Sequence, residues 1–115
     1  MTSYDWSRRY DAGVPRSLEP YPSRTLLAYF ADALDQRPDA TFLIFKGRRL
    51  SYAEVDGASS AFAAALVARG VRKGDRVAIV LPNCPQAIIA QLGTWKAGAI
   101  AAPMNPLYTE RELEY

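Results

Sequence analysis

The apolar positions of this chain fall into short runs whose spacing changes between that of a helix and that of a strand. In the first run, four apolar residues recur at helical spacing: Leu26, Leu27, Phe30 and Leu34. Ser23 precedes them as a candidate N-cap, and Pro38 closes the segment. The pattern therefore predicts a helix over residues 24–36.

A hairpin and a long helix are predicted next. Residues 41–45, TFLIF, are β-prone, and a turn near Gly47 leads into a second run, RRLSY. Ser51 and Glu54 have the spacing of a capping box, in which the serine oxygen and the glutamate carboxylate each accept a backbone N–H. One face of the helix that begins there steps by three or four residues: Tyr52, Val55, Ser59, Phe62 and Leu66. Gly70 stands where a left-handed C-terminal cap is expected.

Residues 76–104 have the pattern of a strand, a helix and a second strand. RVAIVL at 76–81 lacks alternation, which is typical of a central strand buried on both faces, and AIAAPM at 99–104 is a second apolar strand. Between them Asn83 is expected to cap a helix from Cys84 to about Ala97. Pro85 is tolerated in its first turn, Gln86 holds the reciprocal capping position, and Gly98 ends it. We therefore predict an α/β fold with parallel strands and a right-handed crossover.

The two ends of the chain differ from its middle. Residues 1–22 contain three prolines and no periodicity, so they are expected to form an extended arm that its aromatic residues tie to a surface. Thr109 and Glu112 form another capping box, yet no C-cap or further strand follows before Tyr115. Because a parallel sheet needs helices on both faces, we expect further strands beyond Tyr115 and treat residues 23–115 as the first part of a larger domain.

Composition narrows the function classes. The 115 residues include 14 Lys plus Arg against 12 Asp plus Glu, a net charge of +2 that gives little reason to expect a nucleic-acid partner. The absence of histidine excludes Ser-His-Asp and Cys-His nucleophiles and imidazole metal sites. A single cysteine favours a reducing compartment, and we expect a soluble, cytoplasmic protein. No apolar run reaches the ~20 residues of a membrane span, although peripheral membrane contact and the oligomeric state stay open.

The candidate chemical groups have simpler structural explanations. Gly93 and Gly98 have the G-x-x-x-x-G spacing of a phosphate loop, but Lys-Ser/Thr does not follow, so we expect helix packing and C-capping. No G-x-G-x-x-G is present, which removes the main support for a dinucleotide site. Cys84 lies at a predicted helix N-terminus without a histidine, and Trp95 shares helical spacing with core positions, so both are expected to pack.

Charged groups are explained by solvation or by helix ends. The basic cluster lies in a turn that Asp75 interrupts: Arg69, Arg72, Lys73 and Arg76. The carboxylate groups that could pair in catalysis lie on short stretches: Asp32 with Asp35, and Glu110, Glu112 and Glu114. The residues alone therefore indicate an α/β segment without a recognisable active site.

Three stretches have more specific patterns: LSYAEV at 50–55, GVRKGDRVAIVLPNCPQ at 70–86 and TWKAGAIAAPMNPLYTERELEY at 94–115. Together they resemble the N-terminal region of the adenylate-forming acyl-CoA synthetases. LSYAEV at 50–55 resembles the family's L-T/S-Y-x-E-L motif, with Val55 in place of the usual leucine. GVRKGDRVAIVLPNCPQ at 70–86 is the second stretch. TWKAGAIAAPMNPLYTERELEY at 94–115 is similar to L-K-A-G-x-x-x-x-P, through Lys96, Ala97, Gly98 and Pro103, and looks most like the long-chain fatty-acid branch.

The resemblance implies an acid-thiol ligase that uses ATP, Mg²⁺ and coenzyme A. Such an enzyme converts a fatty acid to an acyl-adenylate with release of pyrophosphate, and the thiol of coenzyme A then displaces AMP. The family's phosphate loop, nucleotide contacts, acyl pocket and catalytic lysine come later in its chains, so the resemblance implies no catalytic, cofactor-binding or metal residue here. It implies a scaffold that is inactive alone and is completed by the rest of the same chain. Two alternatives stay open: a ligase for another carboxylic acid, and a free-standing non-catalytic α/β binding module.

Overall fold

The computed structural model describes residues 6–114, which form an α/β structure with two separate two-stranded sheets. A 3₁₀ turn at Trp6–Arg9 comes before the regular elements. In chain order these are α1 (Leu26–Gln36), β1 (Thr41–Phe45), β2 (Arg48–Ser51), α2 (Tyr52–Ala68), β3 (Arg76–Val80), α3 (Pro85–Lys96), β4 (Ile100–Met104) and α4 (Glu110–Leu113). The predicted order of helices and strands is confirmed.

The arm is extended and lies open to solvent. Residues 8–26 are all exposed, and the attachment of the arm to a surface by its aromatic residues stays a prediction. Residues 1–5 lie outside the described residues, as does Tyr115 at the other end. No helix within residues 6–114 has both the length and the apolar character needed to span a bilayer.

Helix α1 begins two residues later than the sequence indicated. Its N-cap is Thr25, whose extended backbone lets the side-chain Oγ1 accept a hydrogen bond from the backbone N–H of Ala28 at 3.2 Å. The prediction of Ser23 as the cap is wrong, because a cap hydroxyl reaches the N–H two or three residues ahead and Ser23 is too far from the first helical turn.

The hairpin turn is confirmed at Lys46-Gly47. Both residues have positive φ, 48° and 80°, as a two-residue turn requires when its twist matches that of the flanking strands. Glycine adopts this backbone conformation without steric cost. Strands β1 and β2 pair antiparallel, with Phe45 opposite Arg48.

The second sheet is parallel, as predicted, but only one of its faces is covered. Strand β3 pairs with β4 so that Val77 lies opposite Ala101 and Ile79 opposite Pro103. Ile79 is buried, whereas Val80 and Ile100, on the opposite face, are each 48% exposed. No element among the described residues covers the second face, so burial of β3 on both faces stays a prediction.

Helix α3 has a different N-cap from the predicted one. The cap is Cys84, which has extended backbone angles and makes no side-chain capping hydrogen bond, and Pro85 is the first helical residue. The prediction of Asn83 as the cap, with Gln86 reciprocating, is wrong. With Asn83 as the cap, Pro85 would be the second helical residue, whose backbone N–H a capping side chain can bind. Proline has no N–H, so that hydrogen bond cannot form.

The core lies where α1, α2, α3 and the hairpin meet. Phe30, Val55 and Leu92 are its buried residues, and partly buried apolar side chains surround them: Leu27, Phe42, Leu43, Leu50, Tyr52, Ile89 and Trp95. Trp95 therefore packs against the core, as predicted.

Candidate functional site

The first motif, LSYAEV, builds a helix start and part of the core. The backbone N–H of Ser51 donates to Glu54 Oε2 at 2.8 Å, and that of Glu54 donates to Ser51 Oγ at 3.1 Å, which confirms the predicted capping box. The next residue, Tyr52, packs its ring against those of Phe42 and Phe30, with centroid distances of 4.6 and 5.7 Å. The motif thus joins the hairpin to α2 and α1.

The motif stretch at 94–115 contributes a hydrogen-bond network around Lys96, which lies in the last turn of α3. Lys96 Nζ donates to Asp56 Oδ1 at 2.6 Å, to the Asp56 carbonyl at 3.1 Å, to Ser59 Oγ at 2.8 Å and to Ser60 Oγ at 2.9 Å. An ammonium has three protons, so these four acceptors use all of them and share at least one. We call Lys96, Asp56, Ser59 and Ser60 the Lys96 network.

The Lys96 network is partly sheltered from water. The side chains of Lys96 and Asp56 are 20% and 36% exposed, and Ser59 is fully buried. Lys96 Nζ also lies 5.8 Å from the centre of the Phe30 ring, on the side of the core. Reduced exposure strengthens such an ion pair relative to one in open solvent, and a cation at the C-terminal end of α3 interacts favourably with the helix dipole.

Helices α2 and α3 approach closely at Gly93. A Cβ added there would lie 2.6 Å from the Ser59 carbonyl oxygen and 2.8 Å from Phe62 Cδ1. Gly93 therefore serves helix packing, and Gly98, with φ of 76°, follows the C-terminal end of α3. Both roles agree with the sequence interpretation of this glycine pair. On the same helix, buried Thr94 donates its hydroxyl proton to the Ala90 carbonyl at 2.7 Å.

The chain leaves β4 through a turn that a side chain organises. Asn105 Oδ1 accepts a hydrogen bond from the backbone N–H of Leu107 at 3.0 Å. Thr109 then caps α4, donating both its backbone N–H and its hydroxyl proton to Glu112 Oε2 at 2.8 Å. These hydrogen bonds hold the pKa of the Glu112 carboxyl below its ordinary value of 4.5, and the bond from the Thr109 backbone N–H has the larger effect. The predicted capping box is confirmed.

The other candidate groups do not converge on one site. In the basic turn, the Asp75 carboxylate accepts a hydrogen bond from the backbone N–H of Arg72 at 2.7 Å. Asp32 pairs with Arg24 at 2.7 Å. Cys84 is half-buried. Each group lies on a separate part of the surface and has local partners or a local packing role.

Two of the concave surfaces are mainly apolar. An open cavity of about 320 Å³ lies between α1, the hairpin and α3, and its wall includes Tyr29, Phe42, Tyr52, Ile88 and Trp95. A second open cavity of about 290 Å³ lies between β1 and the start of α3, beside Cys84. No charged side chain lines either of these two cavities.

A metal ion needs clustered ligands, and a nucleotide phosphate is often held by a glycine-rich loop. Within residues 6–114, no three Cys, Asp or Glu side chains come together in a way that could hold a cation. The chain has no glycine-rich loop followed by lysine. The expectation that this segment carries no catalytic, cofactor or metal residue stays a prediction.

The Lys96 network is the feature that sequence reasoning missed. Asp56, Ser59 and Ser60 recur at positions i, i+3 and i+4 of a helix otherwise rich in alanine, and this polar stripe was a usable signal. Its partner Lys96 lies forty residues away from Asp56, so the pairing required knowledge of how α2 and α3 dock.

Comparison with known proteins gives one family. A family model described as "AMP-binding enzyme" matches residues 30–115. The chain is 42% identical over 110 residues to a long-chain-fatty-acid–CoA ligase of Bacillus subtilis and 40% identical over 111 residues to one of Yersinia pestis. Each alignment covers 96% of this chain and 20% of the relative. The chain therefore spans about a fifth of the length of the curated relatives it matches.

A solved structure has the same fold. An artificially fused adenylation–PCP di-domain protein of Klebsiella oxytoca, NpsA-ThdA, superimposes with a TM-score of 0.76 at 33% sequence identity. The match covers 82% of this chain and 18% of that one.

Proposed function

The chain belongs to the AMP-binding enzyme family, and from this membership we propose that it is the N-terminal part of a long-chain fatty-acid–CoA ligase. The complete protein would join a fatty acid to coenzyme A with cleavage of ATP to AMP and pyrophosphate, through an acyl-adenylate and with Mg²⁺. The family membership and the resemblance of the three motif stretches support ATP and coenzyme A as co-substrates.

One observation carries this proposal. The 42% identity to the Bacillus subtilis long-chain-fatty-acid–CoA ligase extends over 96% of the chain. It therefore takes in the three motif stretches, the βαβ unit and most of the arm, rather than one short signature. Because the alignment covers only 20% of that relative, the activity belongs to a longer protein.

In this proposal the described residues are scaffold. The Ser51–Glu54 capping box fixes the start of α2, and the Lys96 network holds α2 against α3. Helix α3 in turn covers one face of the parallel sheet, which leaves the face of Val80 and Ile100 for further elements of the same polypeptide. The groups that contact ATP, the acid and coenzyme A would come from that remainder.

The domain organisation follows from the same reasoning. We propose residues 1–22 as an arm and residues 23–115 as the first part of the AMP-dependent ligase domain, the rest of the chain being its main partner. The single cysteine supports a reducing, cytoplasmic compartment. Nothing in the charge balance supports a nucleic-acid partner.

A ligase for another carboxylic acid is the second candidate. It is supported by the fold shared with the Klebsiella oxytoca adenylation protein. Its 33% identity is lower than the 42% shared with the fatty-acid ligase, so we favour the long-chain acid.

The first test is to read the coding sequence past the codon of Tyr115. A serine-, threonine- and glycine-rich loop ending in lysine supports the ligase. A stop codon directly after Tyr115 contradicts the enzyme proposal for this molecule and favours a free-standing binding module.

The second test measures the reaction of the complete protein. Acyl-CoA formation is followed with ATP, Mg²⁺ and coenzyme A for palmitate, benzoate and malonate in parallel. We expect palmitate to have the highest kcat/KM and the isolated residues 1–115 to form no product. A preference for benzoate or malonate would support the second candidate instead.

A further inference from the structure

A groove runs along the side of α1 that faces α3. The cavity of about 320 Å³ between α1, the hairpin and α3 forms one end of it. A further open cavity, of about 330 Å³, forms the other end, at Gly98. Leu26 and Trp95 line both cavities, so the two adjoin along these side chains. We call the two cavities together the α1–α3 groove.

The wall of the groove is long and apolar. On α3 it follows one face of the helix, through Ile88, Leu92 and Trp95, to the turn at Gly98. From Ile88 to Gly98 the chain advances roughly 15 Å at the rise of a helix. No charged side chain lines either cavity, and each has a volume in the range of small-molecule sites. An elongated apolar surface of this kind suits an extended hydrocarbon chain.

One end of the groove is bordered by positive charge. A Cβ added to Gly98 would lie 3.5 Å from Lys73 Cγ, so the stem of Lys73 passes beside that end. Lys73 forms no ion pair with any of residues 6–114. Three arginines of the same basic turn are also exposed: Arg69, Arg72 and Arg76. An anionic group at this end of the groove therefore meets a cation whose stem already lies against the wall.

Hydrogen bonds hold the basic turn against this end of the groove. The backbone N–H of Gly74 donates to the Gly98 carbonyl at 3.0 Å, and that of Ile100 donates to the Asp75 carbonyl at 2.7 Å. Within the turn, the Asp75 carboxylate accepts from the backbone N–H of Arg72 at 2.7 Å. The cations of the turn are thus carried by a fixed backbone beside Gly98.

We propose that the α1–α3 groove binds one long-chain fatty acid anion, with its hydrocarbon chain along α3 and its carboxylate at Lys73. An apolar wall with a cation at one end is complementary to a molecule that has a single apolar chain and a single terminal anion. The choice of a fatty acid rests on the proposed function, in which such an acid is the substrate. The groove is an accessory acyl site, because in that proposal the remainder of the polypeptide supplies the groups that act on the acid.

The test places a quencher on the acid and measures the tryptophan of the groove. The complete protein is titrated, without ATP or coenzyme A, with stearate that carries a nitroxide on its chain. The signal of Trp95 is the difference between the wild-type protein and Trp95→Phe. Because Trp95 lines both cavities, we expect this signal to fall saturably, and unlabelled palmitate to restore it.

Two substitutions weaken binding from different parts of the groove. Leu26 is 66% exposed and is the first residue of α1, where the helix dipole favours an acidic side chain. Leu26→Asp should therefore fold, and it should raise the Kd of the labelled acid about tenfold by removing an apolar contact. Lys73→Glu should raise the Kd about fivefold, the effect of an exposed ion pair.

Matched controls carry the same substitutions outside the groove. Val67 is 57% exposed on α2, and Lys46 is exposed in the hairpin turn. Val67→Asp and Lys46→Glu should leave the Kd unchanged. Absence of Trp95 quenching overturns the inference, as does quenching that Leu26→Asp and Lys73→Glu leave unchanged. Equal losses in the controls, or a crystal structure of the complete protein with the groove filled by its own polypeptide, overturn it too.

The ligase assay keeps this inference apart from the proposed function. Acyl-CoA formation from palmitate is measured for the same wild-type protein. Activity in a protein whose Trp95 is not quenched overturns the accessory site and leaves the ligase standing. Saturable quenching that depends on the groove variants, in a protein that forms no acyl-CoA, supports the site and contradicts the ligase.

Discussion

At the scale of single residues, the Lys96 side chain joins several groups of α2 at one point. Its ammonium makes four hydrogen bonds to three residues of α2 while remaining only 20% exposed. A pair this sheltered differs from a surface ion pair, whose contribution is close to zero. Removal of the charge would leave Asp56 and the buried Ser59 without their shared donor.

We expect Lys96→Met to lower the free energy of unfolding of the complete protein by about 2 kcal/mol, because charge-assisted hydrogen bonds are lost in a sheltered place. Urea unfolding followed by circular dichroism measures the change. The same substitution at the exposed Lys46 is the matched control and should change the unfolding midpoint little. Equal midpoints for the two variants would contradict the importance given to the Lys96 network.

The capping box at the start of α2 gives a second prediction. Glu54→Ala should cost about 1 kcal/mol of stability while kcat stays nearly unchanged, because the Glu54 carboxylate binds the backbone N–H of Ser51 and does not contact a substrate. Thermal unfolding and the acyl-CoA assay measure the two effects. A large fall in kcat at unchanged stability would give Glu54 a part in the chemistry.

The capping box of α4 predicts a dependence of local stability on pH. The pKa of Glu112 is lowered by its hydrogen bonds from Thr109, so the ionised form stabilises the first turn of α4 above the ordinary value of 4.5. This stabilisation is lost as the pH falls from there through the lowered pKa. NMR titration of the Glu112 carboxyl carbon should show the low value, and Thr109→Ala should raise it by removing the hydroxyl donor. An unchanged titration in Thr109→Ala would contradict this assignment.

At the scale of elements, the docking of α2 on α3 depends on the small residue at their crossing. We expect Gly93→Ala to lower the free energy of unfolding by about 1–3 kcal/mol, because its Cβ would overlap the Ser59 carbonyl and the Phe62 ring. Gly57 lies in α2 with open space around the added Cβ, so Gly57→Ala should raise stability by up to about 1 kcal/mol through helix propensity. Similar effects of the two substitutions would contradict the close approach.

The elements also show which features a sequence can reveal. Both capping boxes and the Lys46-Gly47 turn were predicted because their interactions join residues no more than three apart. The α3 cap was missed because Pro85 removes a donor that the general rule for Asn83 assumes. The Lys96 network was missed because its partners meet only after two helices dock. The family motifs could be recognised only through a resemblance. They build the scaffold, and their residues have no arrangement that by itself indicates a chemical reaction.

At the scale of the whole molecule, one face of the parallel sheet, that of Val80 and Ile100, is open among the described residues. Burial of a strand depends on what lies on both sides of it, and the described residues supply one side. We expect Ile100→Asp to destabilise the complete protein by about 3 kcal/mol, since a charge would replace an apolar group on a face that we propose the rest of the chain covers. Val67→Asp, at an exposed position of α2, is the comparison and should cost little. Denaturant midpoints decide between them, and a mild effect of Ile100→Asp would mean that this face stays open.

The forty-residue separation between Asp56 and Lys96 also bears on how the protein is made. Domains generally fold during synthesis from the N-terminal side. All partners of the Lys96 network and of the core at Phe30, Val55 and Leu92 have been synthesised once the ribosome has passed residue 96. Helices α1 to α3 are thus able to dock on the nascent chain while the sheet is still growing, so that later strands add to an edge already in place.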